Sequence, residues 1–104
     1  ASPHLFFNTE NMIEYWYRKA RLFQKMEKPI MEVISSFQKA LDLELTSNSY
    51  YVPMSALQIA TEYEKMGDKQ KAKSYYNKCL SMKDFDYQRS IHQKAKAGLN
   101  RIAN

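Results

Sequence analysis

The chain has 104 residues, of which 44% are hydrophobic and 26% charged, with a formal net charge of +5 at pH 7. This is the balance of one globular domain, and two Gly and three Pro are too few for a turn-rich sandwich or barrel. A single cysteine, Cys79, excludes an intrachain disulfide framework, and no apolar run reaches the roughly 20 residues of a membrane span.

The opening Ala1-Ser2-Pro3-His4 lacks an initiator methionine, and no basic stretch leads into a long apolar one. It reads as the start of a processed or excised chain and not as a signal peptide. Leu5-Phe6-Phe7 precedes the first cap, Asn8 or Thr9, and suits packing onto the first helix or onto a longer parent chain. The spacing then predicts a helix from about Glu10 to Met26, with Met12, Trp16, Ala20 and Phe23 on one stripe. Pro29 opens a second helix that runs to about Leu43 and carries Val33, Phe37, Ala40 and Leu41. The polar run Thr46 to Ser49 is a loop. Pro53 stands near the first position of a third helix, whose stripe is Ala56, Ile59, Ala60 and Tyr63. Gly67 ends it and Asp68 caps the next. The fourth helix carries Ala72, Tyr75, Tyr76, Cys79 and Leu80. Lys83 to Asp86 is a break with Asp84 or Asp86 as cap, and the fifth helix carries Ile91, Ala95, Gly98, Leu99 and Ile102. No stretch keeps a period of two, so no strand is predicted.

The first two helices are repeated by the next two. Trp16, Ala20 and Phe23 stand 40 residues before Ala56, Ala60 and Tyr63, and Val33, Phe37 and Ala40 stand 39 before Ala72, Tyr76 and Cys79. Helix hairpins at a fixed period stack into a solenoid. The second unit resembles a tetratricopeptide repeat, a family with small residues where Ala60 and Ala72 stand, aromatics at Tyr63 and Tyr76, glycine at Gly67 and alanine at Cys79. The first unit keeps Trp16 and Ala20, but its turn, Glu27-Lys28-Pro29, lacks the glycine, so it is a degenerate copy. The long linker between units implies that the second helix of unit one overshoots by a turn. The expected fold is all-α, a tetratricopeptide-like α-solenoid of two antiparallel helix hairpins and a C-terminal capping helix. The divisions are an extension over 1–9, hairpins over 10–44 and 53–82, a linker over 45–52 and a cap over 86–103.

Tyr50-Tyr51-Val52-Pro53-Met54-Ser55-Ala56, Lys83-Asp84-Phe85-Asp86-Tyr87 and Arg89-Ser90-Ile91-His92 occur in an order similar to the C-terminal end of the tetratricopeptide-repeat protein 39 and inclusion body clearance family. That resemblance implies the terminal fragment of a longer cytoplasmic adaptor or scaffold, linked to protein quality control or lipid handling, with no enzymatic activity.

No spacing of His, Cys, Asp and Glu makes a metal site, no glycine-rich loop could cradle a phosphate, and nothing positions a nucleophile, so no cofactor is expected. Cys79 takes a buried alanine's place and reads as structural. The charge is uneven: residues 1–64 carry six basic and eight acidic side chains, and residues 65–104 carry ten and three. The tetratricopeptide resemblance implies a concave face built from the first helix of each hairpin. Its lining residues are Tyr17, Arg21 and Lys25 from the first unit, Met54, Leu57, Thr61 and Lys65 from the second, and Arg89 and His92 from the fifth helix. Such a surface suits a protein or peptide partner with an apolar anchor and acidic character. Tyr17, Arg21, Gln58 and Gln93 do not match the clamp that chaperone-binding relatives use. The rival readings are a structural end-cap that docks to the rest of a parent chain, self-association around Leu5 to Tyr15, and a lysine-rich face for an anionic membrane or RNA. Nucleic acid is the least favoured, because the tyrosines fall on core positions and do not interleave with the lysines.

Overall fold

The computed structural model describes residues 9–43 and 49–103. Within them lie five helices: α1 (Thr9–Lys25), α2 (Ile30–Asp42), α3 (Tyr51–Met66), α4 (Lys69–Ser81) and α5 (Gln88–Ile102). No strand occurs among the described residues. α1 pairs with α2 and α3 with α4 as antiparallel hairpins, α2 packs on α3, and α5 packs on both α3 and α4. The result is a slab of 54 × 32 × 18 Å, the all-α solenoid expected from the repeat. Leu5 to Phe7 and most of the polar linker lie outside the described residues.

The turns explain why the chain folds back where it does. Gly67 adopts φ 82°, and the Asp68 N–H donates to the Tyr63 carbonyl at 2.9 Å, which closes α3. Asp68 then accepts from the Lys71 N–H at 3.1 Å and starts α4. The first hairpin makes the same turn without glycine. Glu27, 40 residues before Gly67, takes φ 55°, and the Lys28 N–H donates to the Phe23 carbonyl at 3.0 Å. A side chain in the left-handed region costs about 1 kcal/mol. Glu27→Gly is therefore expected to raise stability by somewhat less than about 1 kcal/mol, read from the midpoint of urea denaturation. A lower midpoint would show that Glu27 contributes contacts that outweigh its backbone.

Several boundaries differ from expectation. Pro29 is the N-cap of α2, outside the helix. α3 begins at Tyr51, two residues before Pro53, which still costs nothing because first-turn N–H groups have no helical partner. α2 does not overshoot: it has 13 residues, as α4 does, and ends at Asp42, so the extra length lies in the connection. Neither Asp84 nor Asp86 caps α5. Its N-cap is Tyr87 at φ 63°, and the Asp84 N–H donates instead to Gln88 Oε1 at 2.6 Å.

The buried stripe of α1 is Ile13, Tyr17 and Ala20, while Trp16 and Phe23 are only half-buried. α1 packs on α2 and α3 together, and the face between them carries Tyr17, whose ring lies 5.7 Å from Phe37 and 5.1 Å from Tyr51. Trp16 lies at the flank, under the Lys39 ammonium at 4.2 Å.

Candidate peptide-binding groove

The first helices of the hairpins, α1 and α3, lie beside each other, and α5 continues the row. The Gln24 amide ties α1 to α3. Gln24 Nε2 donates to Gln58 Oε1 at 3.0 Å and to Glu62 Oε1 at 2.8 Å. The next pair is joined by charge. Arg101 of α5 forks onto Glu64 of α3 at 2.9 and 3.1 Å, and Tyr76 donates to the same carboxylate at 2.6 Å.

Two cavities open along this row. One, of about 280 Å³, is lined by Arg21, Gln24, Lys25, Gln58 and Lys65. The other, of about 260 Å³, is lined by Leu57, Gln58, Thr61, Tyr76, Lys94, Ala97 and Arg101, so Gln58 belongs to both. Glu62 is only 4% exposed and accepts from Lys65 Nζ at 3.4 Å as well as from Gln24. Arg21 donates to the neutral Gln24 at 2.8 Å. Among the described residues, Arg21, Lys25 and Lys94 pair with no carboxylate. The surface around the two cavities is therefore cationic, with the nearby carboxylates of Glu62 and Glu64 already engaged.

The charge-assisted bonds from Arg101, and to a smaller extent Tyr76, hold the Glu64 carboxyl below its ordinary value. Burial pushes the Tyr76 hydroxyl up, aided by Glu64. A lowered folded-state value means that Glu64 stabilises fully above its unfolded value and loses that contribution as pH falls through the folded one. The stability lead of the wild type over Glu64→Gln is thus expected to be complete at neutral pH and to shrink on acidification below the ordinary value of 4.5. Urea denaturation at a series of pH values checks this, and a lead that does not change with pH would exclude the carboxylate as its source.

The expected lining residues divide into three groups. Arg21, Lys25 and Lys65 meet around the first cavity, and Leu57 and Thr61 border the second. Tyr17 is buried between Phe37 and Tyr51, Leu57 is largely buried, and Met54 packs against the core, so their contribution to open surface is small. Arg89 and His92 join neither cavity. Arg89 is exposed in the first turn of α5, and His92 Nε2 lies 2.9 Å from the Met82 carbonyl with its ring against Phe85. Lys94 and Arg101 take the place expected for them, because α5 is in step with α3 at 39 residues: Ala97 follows Gln58 and Arg101 follows Glu62 by that interval. The 39-residue step between second helices, extended once more, was the signal for these two.

No helix of the described residues is long and apolar enough to cross a membrane. Among the described residues, no group of three or more His, Cys, Asp and Glu could hold a metal ion. A family model, tetratricopeptide repeat, matches residues 55–86. No curated protein and no solved structure matches the chain. The match is to the repeat as such and does not single out the tetratricopeptide-repeat protein 39 family. Ala60, Tyr63, Gly67, Ala72, Tyr76 and Cys79 all lie inside the matched span, so the similarity to a tetratricopeptide repeat is carried by α3 and α4.

Proposed function

We propose that this chain is a non-catalytic interaction module that holds an extended, acidic segment of a partner protein along the α1–α3–α5 row. Tetratricopeptide solenoids are protein-interaction modules, and their grooves are built by successive first helices. The observation that carries the reading is the convergence of Arg21, Lys25 and Lys65 on one cavity with the amides of Gln24 and Gln58. Guanidinium and ammonium groups recognise carboxylates, and the amides can donate to or accept from a peptide backbone. Lys94, which pairs with no carboxylate among the described residues, extends the cationic track beyond Gln58, so the ligand is read as a strip with acidity at more than one point. The adaptor role, its cytoplasmic setting and a place in protein quality control or lipid handling belong to this proposal. The buried free thiol of Cys79 is in keeping with a reducing compartment.

An Asp- and Glu-rich synthetic peptide tests the reading by fluorescence anisotropy. Arg21→Glu with Lys25→Glu is expected to weaken binding about tenfold or more, and added salt to weaken it progressively. Both side chains are exposed, so circular dichroism is expected to show an unchanged fold. Undiminished affinity in the double variant would overturn the groove.

A further inference from the structure

The groove between α4 and α5 repeats one that the molecule fills with its own helix. In the second hairpin, Tyr63 of α3 faces α4, with its ring stacked on Tyr75 at 5.7 Å and the Lys71 ammonium 5.4 Å away, and Ala60 lies on the same buried stripe. Leu99 and Ile102 of α5 stand 39 residues after Ala60 and Tyr63, the interval that also relates Ala97 to Gln58 and Arg101 to Glu62. They therefore occupy the positions against which a second helix packs. Both are only half-buried and line a cavity of about 470 Å³.

The opposite wall has changed chemistry. Lys69 and Lys73 of α4 stand 39 residues after Ile30 and Ile34 of α2, of which Ile34 is buried and Ile30 half-buried. At this place α2 carries isoleucine, buried or half-buried, and α4 carries exposed lysine, one turn apart on one face. No acidic residue lines the cavity. An apolar floor beside a cationic wall is the complement of a helix with an apolar stripe flanked by carboxylates.

We propose that the α4–α5 groove is a second docking site, which takes an acidic amphipathic helix of a partner protein. The apolar stripe of that helix lies on Leu99 and Ile102, and its Glu or Asp side chains meet Lys69 and Lys73. It fills the position that α4 fills on α3. The site is separate from the α1–α3–α5 row and stands without it. The carboxylates of such a helix complement Lys69 and Lys73, and no acidic residue of the cavity competes for them.

The probe is a fluorescein-labelled, end-blocked peptide of about 14 residues, Leu at helical spacing and Glu elsewhere, matched in length to a helix such as α4. The control has the same composition with the spacing scrambled. Binding of the probe and not the control is expected, with backbone amide shifts concentrated at Lys69, Lys73, Leu99 and Ile102. Lys69→Glu with Lys73→Glu is expected to weaken it about tenfold, since each reversal turns an attraction into a repulsion. Arg21→Glu with Lys25→Glu is expected to leave it unchanged, which separates this site from the groove on the other helices. The proposal is overturned if the probe does not bind or if the scrambled peptide binds equally. It is also overturned if the shifts fall on α1 and α3, or if the lysine reversals have no effect. A dimer in sedimentation velocity that those reversals abolish would assign the groove to a second copy and overturn it too.

Discussion

Gly98→Ala is expected to lower the unfolding free energy by about 2 kcal/mol, although alanine is the better helix former by about 1 kcal/mol. A Cβ at this position would overlap the Tyr76 ring, with Cε1 and Cε2 only 2.5 and 2.6 Å away. Tyr76 cannot retreat easily. Its side chain is fully buried, and its hydroxyl is fixed to Glu64, which Arg101 holds in turn. The added methyl would therefore push α5 off the α3–α4 hairpin. Urea denaturation measures the loss, and Tyr76→Leu supplies the control: in that background the alanine is expected to cost little or to stabilise. A Gly98→Ala variant as stable as the parent would mean that α5 shifts freely on its neighbours.

Phe37→Ala is expected to cost about 4 kcal/mol, from lost transfer energy and an uncollapsed cavity. Phe37 is fully buried, stands 39 residues before Tyr76, and packs edge-on to Tyr17 at 5.7 Å. Small domains are stable by only about 5 to 15 kcal/mol, so this substitution would consume much of the total and unfold a fraction of molecules at 37 °C. Tyr76→Phe, at the corresponding place in the second hairpin, is expected to cost only about 1 to 2 kcal/mol, because the ring stays and only the hydroxyl's bonds, to Glu64 at 2.6 Å and from Arg101 at 3.3 Å, are lost. Thermal denaturation of both variants checks the order, and a smaller loss for Phe37→Ala than for Tyr76→Phe would contradict the packing described.

The second hairpin was legible because its signals are local: Gly67 can take the left-handed turn, Asp68 can cap, and Ala60 and Ala72 are small where helices approach. The face of α1 was less legible. Met12-Trp16-Ala20-Phe23 and Ile13-Tyr17-Ala20 are both acceptable helical stripes, and the choice between them depends on α3, which lies far along the sequence. The same limit explains the groove. Arg21, Lys25 and Lys65 follow from positions within one helix each. The contribution of α5 depends on the α4–α5 connection, where Asp84 and Tyr87 take the left-handed region at φ 63° without being glycine. Beyond that turn, α5 brings Arg101 to Glu64 of α3, and Lys94 lines the cavity that Thr61 also borders.

The slab is 18 Å thin, about two helix diameters. One layer is α1, α3 and α5, joined side to side by Gln24, Gln58, Glu62, Glu64 and Arg101. In the other layer, among the described residues, one side-chain bond joins α2 to α4, from the Tyr75 hydroxyl to Gln38 at 2.8 Å. A bend of the slab therefore has more side-chain bonds to break between α1, α3 and α5 than between α2 and α4.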